Sequence, residues 1–97
     1  MYAVIFTATI KELDERYSKL AEEMRRLAFS KYGCQQFIAS TDGDIEIAVS
    51  YWQSLGDIQK WKNDIQHLEV QAIGQNRWYS HYKVDIAKVE RSYEFPT

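Results

Sequence analysis

Apolar and polar positions along this chain change period several times, and each change marks an element. Tyr2 to Thr9 alternates, with Tyr2, Val4, Phe6 and Ala8 on one side and Ala3, Ile5, Thr7 and Thr9 on the other. A period of two predicts a strand. From Tyr17 through Leu20, Ala21, Met24, Leu27 and Ala28 the apolar residues recur at three and four, against Glu22, Glu23, Arg25 and Arg26. That spacing predicts an amphipathic helix with Asp14 as N-cap, ended at Gly33 by a left-handed residue. Cys34 to Thr41 reads as a second strand. Asp42-Gly43 then predicts a two-residue hairpin turn into a third, in which Ile45, Ile47, Val49 and Tyr51 alternate with Glu46, Ala48, Ser50 and Trp52.

After Trp52 the period returns to that of a helix. Ser54 followed by Asp57 resembles a capping box, and Ile58 and Trp61 share one face of a short helix. Beyond Asn63-Asp64 a second helical piece carries Ile65, Leu68 and Ala72. It continues through Val70, Ile73 and Trp78, with Gly74 a soft spot costing about 1 kcal/mol against Ala. Lys83 to Arg91 closes the pattern as a last strand. The order is β-α-β-β-α-β with the second helix broken in two, in a single domain covering residues 1–97. Right-handed crossovers lay the helices on one face of a four-stranded antiparallel sheet, the ferredoxin-like α+β arrangement. Strands one and four are apolar on both sides, so the second face calls for a cover, and a second copy of the chain, giving a homodimer through the sheet face, is the simplest one.

Composition narrows the function. Three Trp, seven Tyr and four Phe are more rings than a small core needs, which points to an interface, a ligand cavity or both. The net charge of −2, with basic and acidic residues interleaved along the first helix, argues against nucleic-acid binding. The single Cys34 permits neither an intrachain disulfide nor a cysteine-based metal cluster, and no zinc-spaced His/Cys set, phosphate loop, dinucleotide fingerprint or nucleophile elbow is present. No metal site is expected. No run approaches the roughly 18 apolar residues of a membrane span. With no basic stretch leading into a long apolar run at the start, a cytoplasmic protein is expected. The chemistry-bearing residues collect after the third strand. Trp52, Trp61 and His67 fall in one small region, and Trp78 lies beyond them. A neutral imidazole at His67 could accept a proton from a phenol or hydrogen-bond it, while the tryptophans could grip a flat ring or simply fill the core.

The segments YAVIFTA, IAVSYWQSLGDIQKWKNDIQHLEVQ and RWYSHYKVDIAKVERSYEF, which together span nearly the whole chain, resemble the antibiotic biosynthesis monooxygenase (ABM) domain family of the dimeric α+β barrel superfamily. The resemblance implies a ferredoxin-like subunit dimerised sheet to sheet into a dimeric α+β barrel, with a pocket between sheet and helices. It also implies an oxidoreductase: a cofactor-independent monooxygenase acting on a flat phenolic or quinol substrate with O₂. His67 would be the catalytic residue, with Trp52, Trp61, Asn63 and Trp78 as substrate-binding residues. Two alternatives stay open, a non-catalytic module that binds an aromatic ligand or serves a stress response, and a haem-degrading monooxygenase. The haem-degrading branch carries an Asn on the first strand, a Trp on the middle helix and a His ten residues on. Here Thr7, Trp61 and Gln71 stand at those places, so no cofactor is expected and haem is the weaker alternative.

Overall fold

The computed structural model describes residues 1–96, and the side chains of all of these except Ile65 and Gln66. Ile65, expected on the apolar face of the second helical piece, therefore has its side chain outside the described residues. The elements are β1 (Tyr2–Ile10), α1 (Tyr17–Ser30), β2 (Gln36–Asp42), β3 (Ile45–Trp52), α2 (Leu55–Lys62), α3 (Ile65–Ile73), a π-helical turn (Gly74–Trp78) and β4 (Tyr79–Lys88). Among the described residues no helix is long and apolar enough to cross a membrane.

The strands run antiparallel in the order β2-β3-β1-β4, the ferredoxin-like order. The expected barrel is not formed. β2 and β4 are free edges, and the sheet stays open. Four strands are too little sheet to curl round an interior that holds side chains, which takes about eight. The β-α-β-β-α-β order and the broken second helix hold, and the barrel closure does not.

Local chemistry explains most element boundaries. Ser54 caps α2 by accepting from the Asp57 N–H at 3.1 Å, with Lys60 and Lys62 in the last turn. Asp14 sits earlier than expected. Its carboxylate accepts from the Arg16 N–H at 3.0 Å and its carbonyl from the Tyr17 N–H at 3.1 Å, so it closes a turn ahead of α1 and does not cap it. Gly33, at φ 77°, lets the Cys34 N–H turn back onto the Ala28 carbonyl at 2.8 Å. In the β2–β3 hairpin Asp42 pairs with Ile45, so the two turn residues are Gly43 and Asp44, one step later than the Asp-Gly signal implies. Only Gly43 has positive φ, as in a type II′ turn.

The core lies between the helices and the even-numbered residues of β1 and β3. Trp52 is fully buried beneath Ile58 and Trp61, beside Val4, Met24, Ala28 and Cys34. Its Nε1 donates to Ser50 Oγ at 2.8 Å, and its ring lies 5.1 Å from that of Trp61. The Cys34 thiol donates to the Gln36 carbonyl at 3.3 Å. The other sheet face carries the odd-numbered set of β1 and β3 together with Ile38 of β2, which pairs with Val49, and there Ile38, Ile45 and Ile47 are each 40% or more exposed. The most apolar side of β3 thus faces away from the helices.

Candidate functional site

A cavity of about 620 Å³ opens between the even-numbered sheet face and helices α1 and α3. Phe6 and Ala48 form part of its floor, Met24 and Val70 line it from the helices, and Trp61 and Trp78 stand at its walls. By area this lining is mostly apolar, and polar and charged side chains, Glu22, Arg25, Lys62 and Gln71 among them, also line it.

His67, on α3, is one of them. Its ring meets the Trp61 ring edge-on, with centroids 4.5 Å apart and planes at 81°. Its Nδ1 is buried and has no hydrogen-bond partner among the described residues. Burial holds the His67 pKa below the ordinary 6.5, and the Lys62 charge pushes the same way. The imidazole is therefore neutral near pH 7.

Glu46 is the second. It is a buried carboxylate on β3 whose Oε2 accepts the Tyr79 hydroxyl proton at 2.5 Å. Burial raises the Glu46 pKa above its usual value, and the Tyr79 hydrogen bond offsets part of the rise. The same burial, reinforced by the neighbouring carboxylate, drives the Tyr79 pKa far upward, so that hydroxyl keeps its proton.

Tyr82 is another. Its hydroxyl accepts from Gln71 Nε2 at 3.1 Å and from Gln75 Nε2 at 2.7 Å. A hydroxyl has two lone pairs and one proton, so two accepted bonds leave that proton to donate. Both tyrosines reach the cavity because β4 carries a bulge. Thr9 pairs with His81 but Ile10 pairs with Tyr79, which leaves Ser80 as the extra residue. Strict alternation would put residues three apart on opposite faces, and the bulge returns Tyr79 to the face of Tyr82. Phe6 contacts both rings, at 5.5 and 5.7 Å between centroids.

Of the residues singled out from the sequence, Trp61, His67 and Trp78 meet at this cavity. Trp52 lies behind Trp61 in the core and is not on the wall. Asn63 is the exposed C-cap of α2, its N–H bonded to the Gln59 carbonyl at 3.0 Å, and it too is off the wall. Sequence reasoning missed Glu46, Tyr79 and Tyr82. The available signal was Glu46 itself, a charged residue in the same alternating set as Trp52. Among the described residues no group of three or more His, Cys, Asp or Glu side chains could hold a metal ion.

Comparison with known proteins gives one clear sequence relative. The uncharacterized protein YqjZ of Bacillus subtilis (strain 168) is 37% identical over 92 residues, covering 93% of this chain and 80% of its own. The chain belongs to the YqjZ family. No protein-family model matches it. Solved structures resemble it in fold at much lower identity. Rv0793 from Mycobacterium tuberculosis superposes with a TM-score of 0.80 at 14% identity, covering 96% of this chain and 98% of that one. SnoaB from Streptomyces nogalater, a cofactor-independent oxygenase solved as a single-site variant, gives 0.79 at 6% identity over 99% and 97%. An antibiotic biosynthesis monooxygenase gives 0.68 at 12% identity over 94% and 100%. The YqjZ family thus shares the fold of the ABM-type proteins, and at these identities the likeness is one of fold alone.

Proposed function

We propose that the cavity binds a flat phenolic or quinol molecule and that the protein oxidises it with O₂ as a cofactor-independent monooxygenase. The observation that carries this reading is the cavity itself, a space of about 620 Å³ walled by aromatic rings, mostly apolar by area and with polar groups in its lining. The fold likeness to SnoaB supports the same reaction class. Overall, one oxygen atom stays on the ring as a carbonyl, and the other leaves as water with the substrate's O–H and C–H hydrogens. Deprotonation of the hydroxyl makes the ring electron-rich enough to reduce O₂ directly. The protein supplies shape, dryness and hydrogen bonds.

In this scheme Trp61 and Trp78 hold the faces of the ligand, and the neutral His67 hydrogen-bonds it from α3. Trp52 acts by backing Trp61, and Asn63 by ending α2 so that α3 can turn toward the cavity. Haem fits poorly. The residue ten beyond Trp61 is Gln71, a neutral amide already bonded to Tyr82, and amides are weak iron ligands. We further propose a homodimer through the open sheet face, where Ile38 and Ile47 would be covered.

A non-catalytic module that sequesters the same ligand is favoured by one observation, the burial of His67 Nδ1 with no hydrogen-bond partner among the described residues. Oxygen uptake and ligand binding, measured together with a panel of hydroquinones and anthrones, separate the readings. Stoichiometric O₂ consumption with quinone formation supports the oxygenase. Binding without O₂ consumption supports the sequestering module. Haemin is expected to give no stable Soret band.

A further inference from the structure

The charged groups of the cavity lining divide by position along the strands. Glu46 and Tyr82 both stand in register with Ala8, and Glu46 accepts the Tyr79 hydroxyl. Val4 and Phe37 stand in register with Ser50, four residues along β3 from Glu46 and therefore about 13 Å away. The cations gather at this second row. Arg25 on α1 donates to the Phe37 carbonyl at 3.2 Å, and its guanidinium lies 5.7 Å over the Phe37 ring. That ring meets Trp61 edge-on at 6.2 Å between centroids. Lys62 follows Trp61 at the end of α2, near enough to His67 to oppose its protonation. Both cations line the cavity, and among the described residues neither is in an ion pair. Glu22, one turn before Arg25, is the opposing charge in the same lining. Asp64 is turned to α1 instead, accepting from Tyr32 and lying 3.6 Å from Lys31, and it does not line the cavity.

We propose that the Phe37 end of the cavity is an anion subsite, in which Arg25 and Lys62 bind the carboxylate of an elongated, otherwise apolar ligand. Arg25 spends one nitrogen on Phe37 and keeps its other N–H groups for a planar, two-oxygen acceptor. Lys62 adds three donors that rotate to suit. The Phe37 and Trp61 rings beside them keep water from one side of the pair, which strengthens its attraction for an anion. The opposite end sets the direction of binding. A carboxylate there would lie beside the buried acid Glu46, with Arg25 and Lys62 about 13 Å away along the strands. The apolar body of the ligand then lies over Phe6 and Ala48, between the two ends. This inference shares with the proposed function only the premise that the cavity takes a ligand. It needs neither oxygen nor a phenol.

Quenching of tryptophan fluorescence by anthracene-2-carboxylate and by anthracene-2-carboxamide, a neutral molecule of nearly the same shape, tests the subsite in the full chain. At low ionic strength wild type is expected to bind the carboxylate about tenfold more tightly, the worth of one charge-assisted hydrogen bond. Added salt should lower the ratio, because Arg25 is exposed. Arg25→Gln and Lys62→Gln should each reduce it about threefold, and the double variant should bring it near one. Glu22→Gln should raise it about threefold, an increase that a damaged fold would not give. Lys60→Gln removes an exposed cation of the same helix that lies off the cavity, and should leave the ratio unchanged. A double variant that keeps the preference, or an equal loss in Lys60→Gln, overturns the inference. If wild type binds both compounds alike, the subsite falls alone; if it binds neither, the subsite falls together with the ligand reading of the cavity. A carboxylate preference without O₂ uptake from quinols leaves the subsite standing and removes the oxygenase.

Discussion

The indole Nε1 of Trp61 on α2 donates to the main-chain carbonyl of Met24 on α1 at 3.1 Å, a buried bond across 37 residues of sequence. It fixes the ring that separates the core from the cavity, with Trp52 behind it and His67 in front. Trp61→Phe keeps a ring but loses the donor and leaves part of its volume empty. An unfolding free energy lower by about 1–3 kcal/mol is expected in urea titrations, with weaker ligand binding.

Gly74 is better explained by contact than by helix propensity. A Cβ at this position would sit 3.2 Å from two atoms of the Tyr79 ring. Ala would favour a helix here by about 1 kcal/mol, but crowding a packed ring costs about 1–3. Gly74→Ala should therefore give no gain in Tm, and the shifted Tyr79 should loosen its bond to Glu46. A lower Tm with a disturbed near-ultraviolet tyrosine signal is the expected result.

Two cavity groups make stability depend on pH in opposite senses. The folded-state pKa of His67 lies below 6.5, so the unfolded chain takes the proton more readily. Its contribution is full above about pH 6.5 and is lost as pH falls toward the folded value, by at most about 1.4 kcal/mol per pH unit. The folded-state pKa of Glu46 is raised above 4.5, so its contribution is full below that pH and is lost as pH rises through the folded value. Glu46→Gln is thus expected to be more stable than wild type at pH 8, with the gain vanishing near pH 4.5. His67→Gln should flatten the decline below pH 6.5. Denaturant titrations at several pH values read both.

On the open sheet face, Ile47→Lys replaces an exposed apolar side chain with a charge. Monomer stability should change by no more than about 0.5 kcal/mol. If a second copy covers this face, sedimentation velocity should show wild type as a dimer and the variant as a monomer.

Much of the fold was legible because local signals agreed with one another. The Ser54 cap, the β2–β3 turn and the three-and-four spacing of α1 each specify an element without tertiary help. β4 was harder. The pattern announces this strand only at Lys83, four residues after it begins at Tyr79, because the bulge at Ser80 breaks the alternation. The missed site residues follow from the same break, since Tyr79 cannot be assigned to a face until the bulge is known. Glu46 was passed over for another reason. The set Ile45, Ile47 and Val49 is the more apolar side of β3, yet the helices pack on the mixed set that contains Trp52. Polarity alone gives the wrong side wherever both faces are to be covered.

Cys34 has a practical consequence. Its thiol is buried, bonded to the Gln36 carbonyl, and held in the protonated form by a pKa raised chiefly through burial. Maleimides and iodoacetamides react with the thiolate, so the folded protein should leave them largely unconsumed. The chain then serves as its own cysteine-free background. A cysteine introduced at Ser40, exposed on the open sheet face beside Ile47, would take a spin label or fluorophore at one position without removal of the native residue.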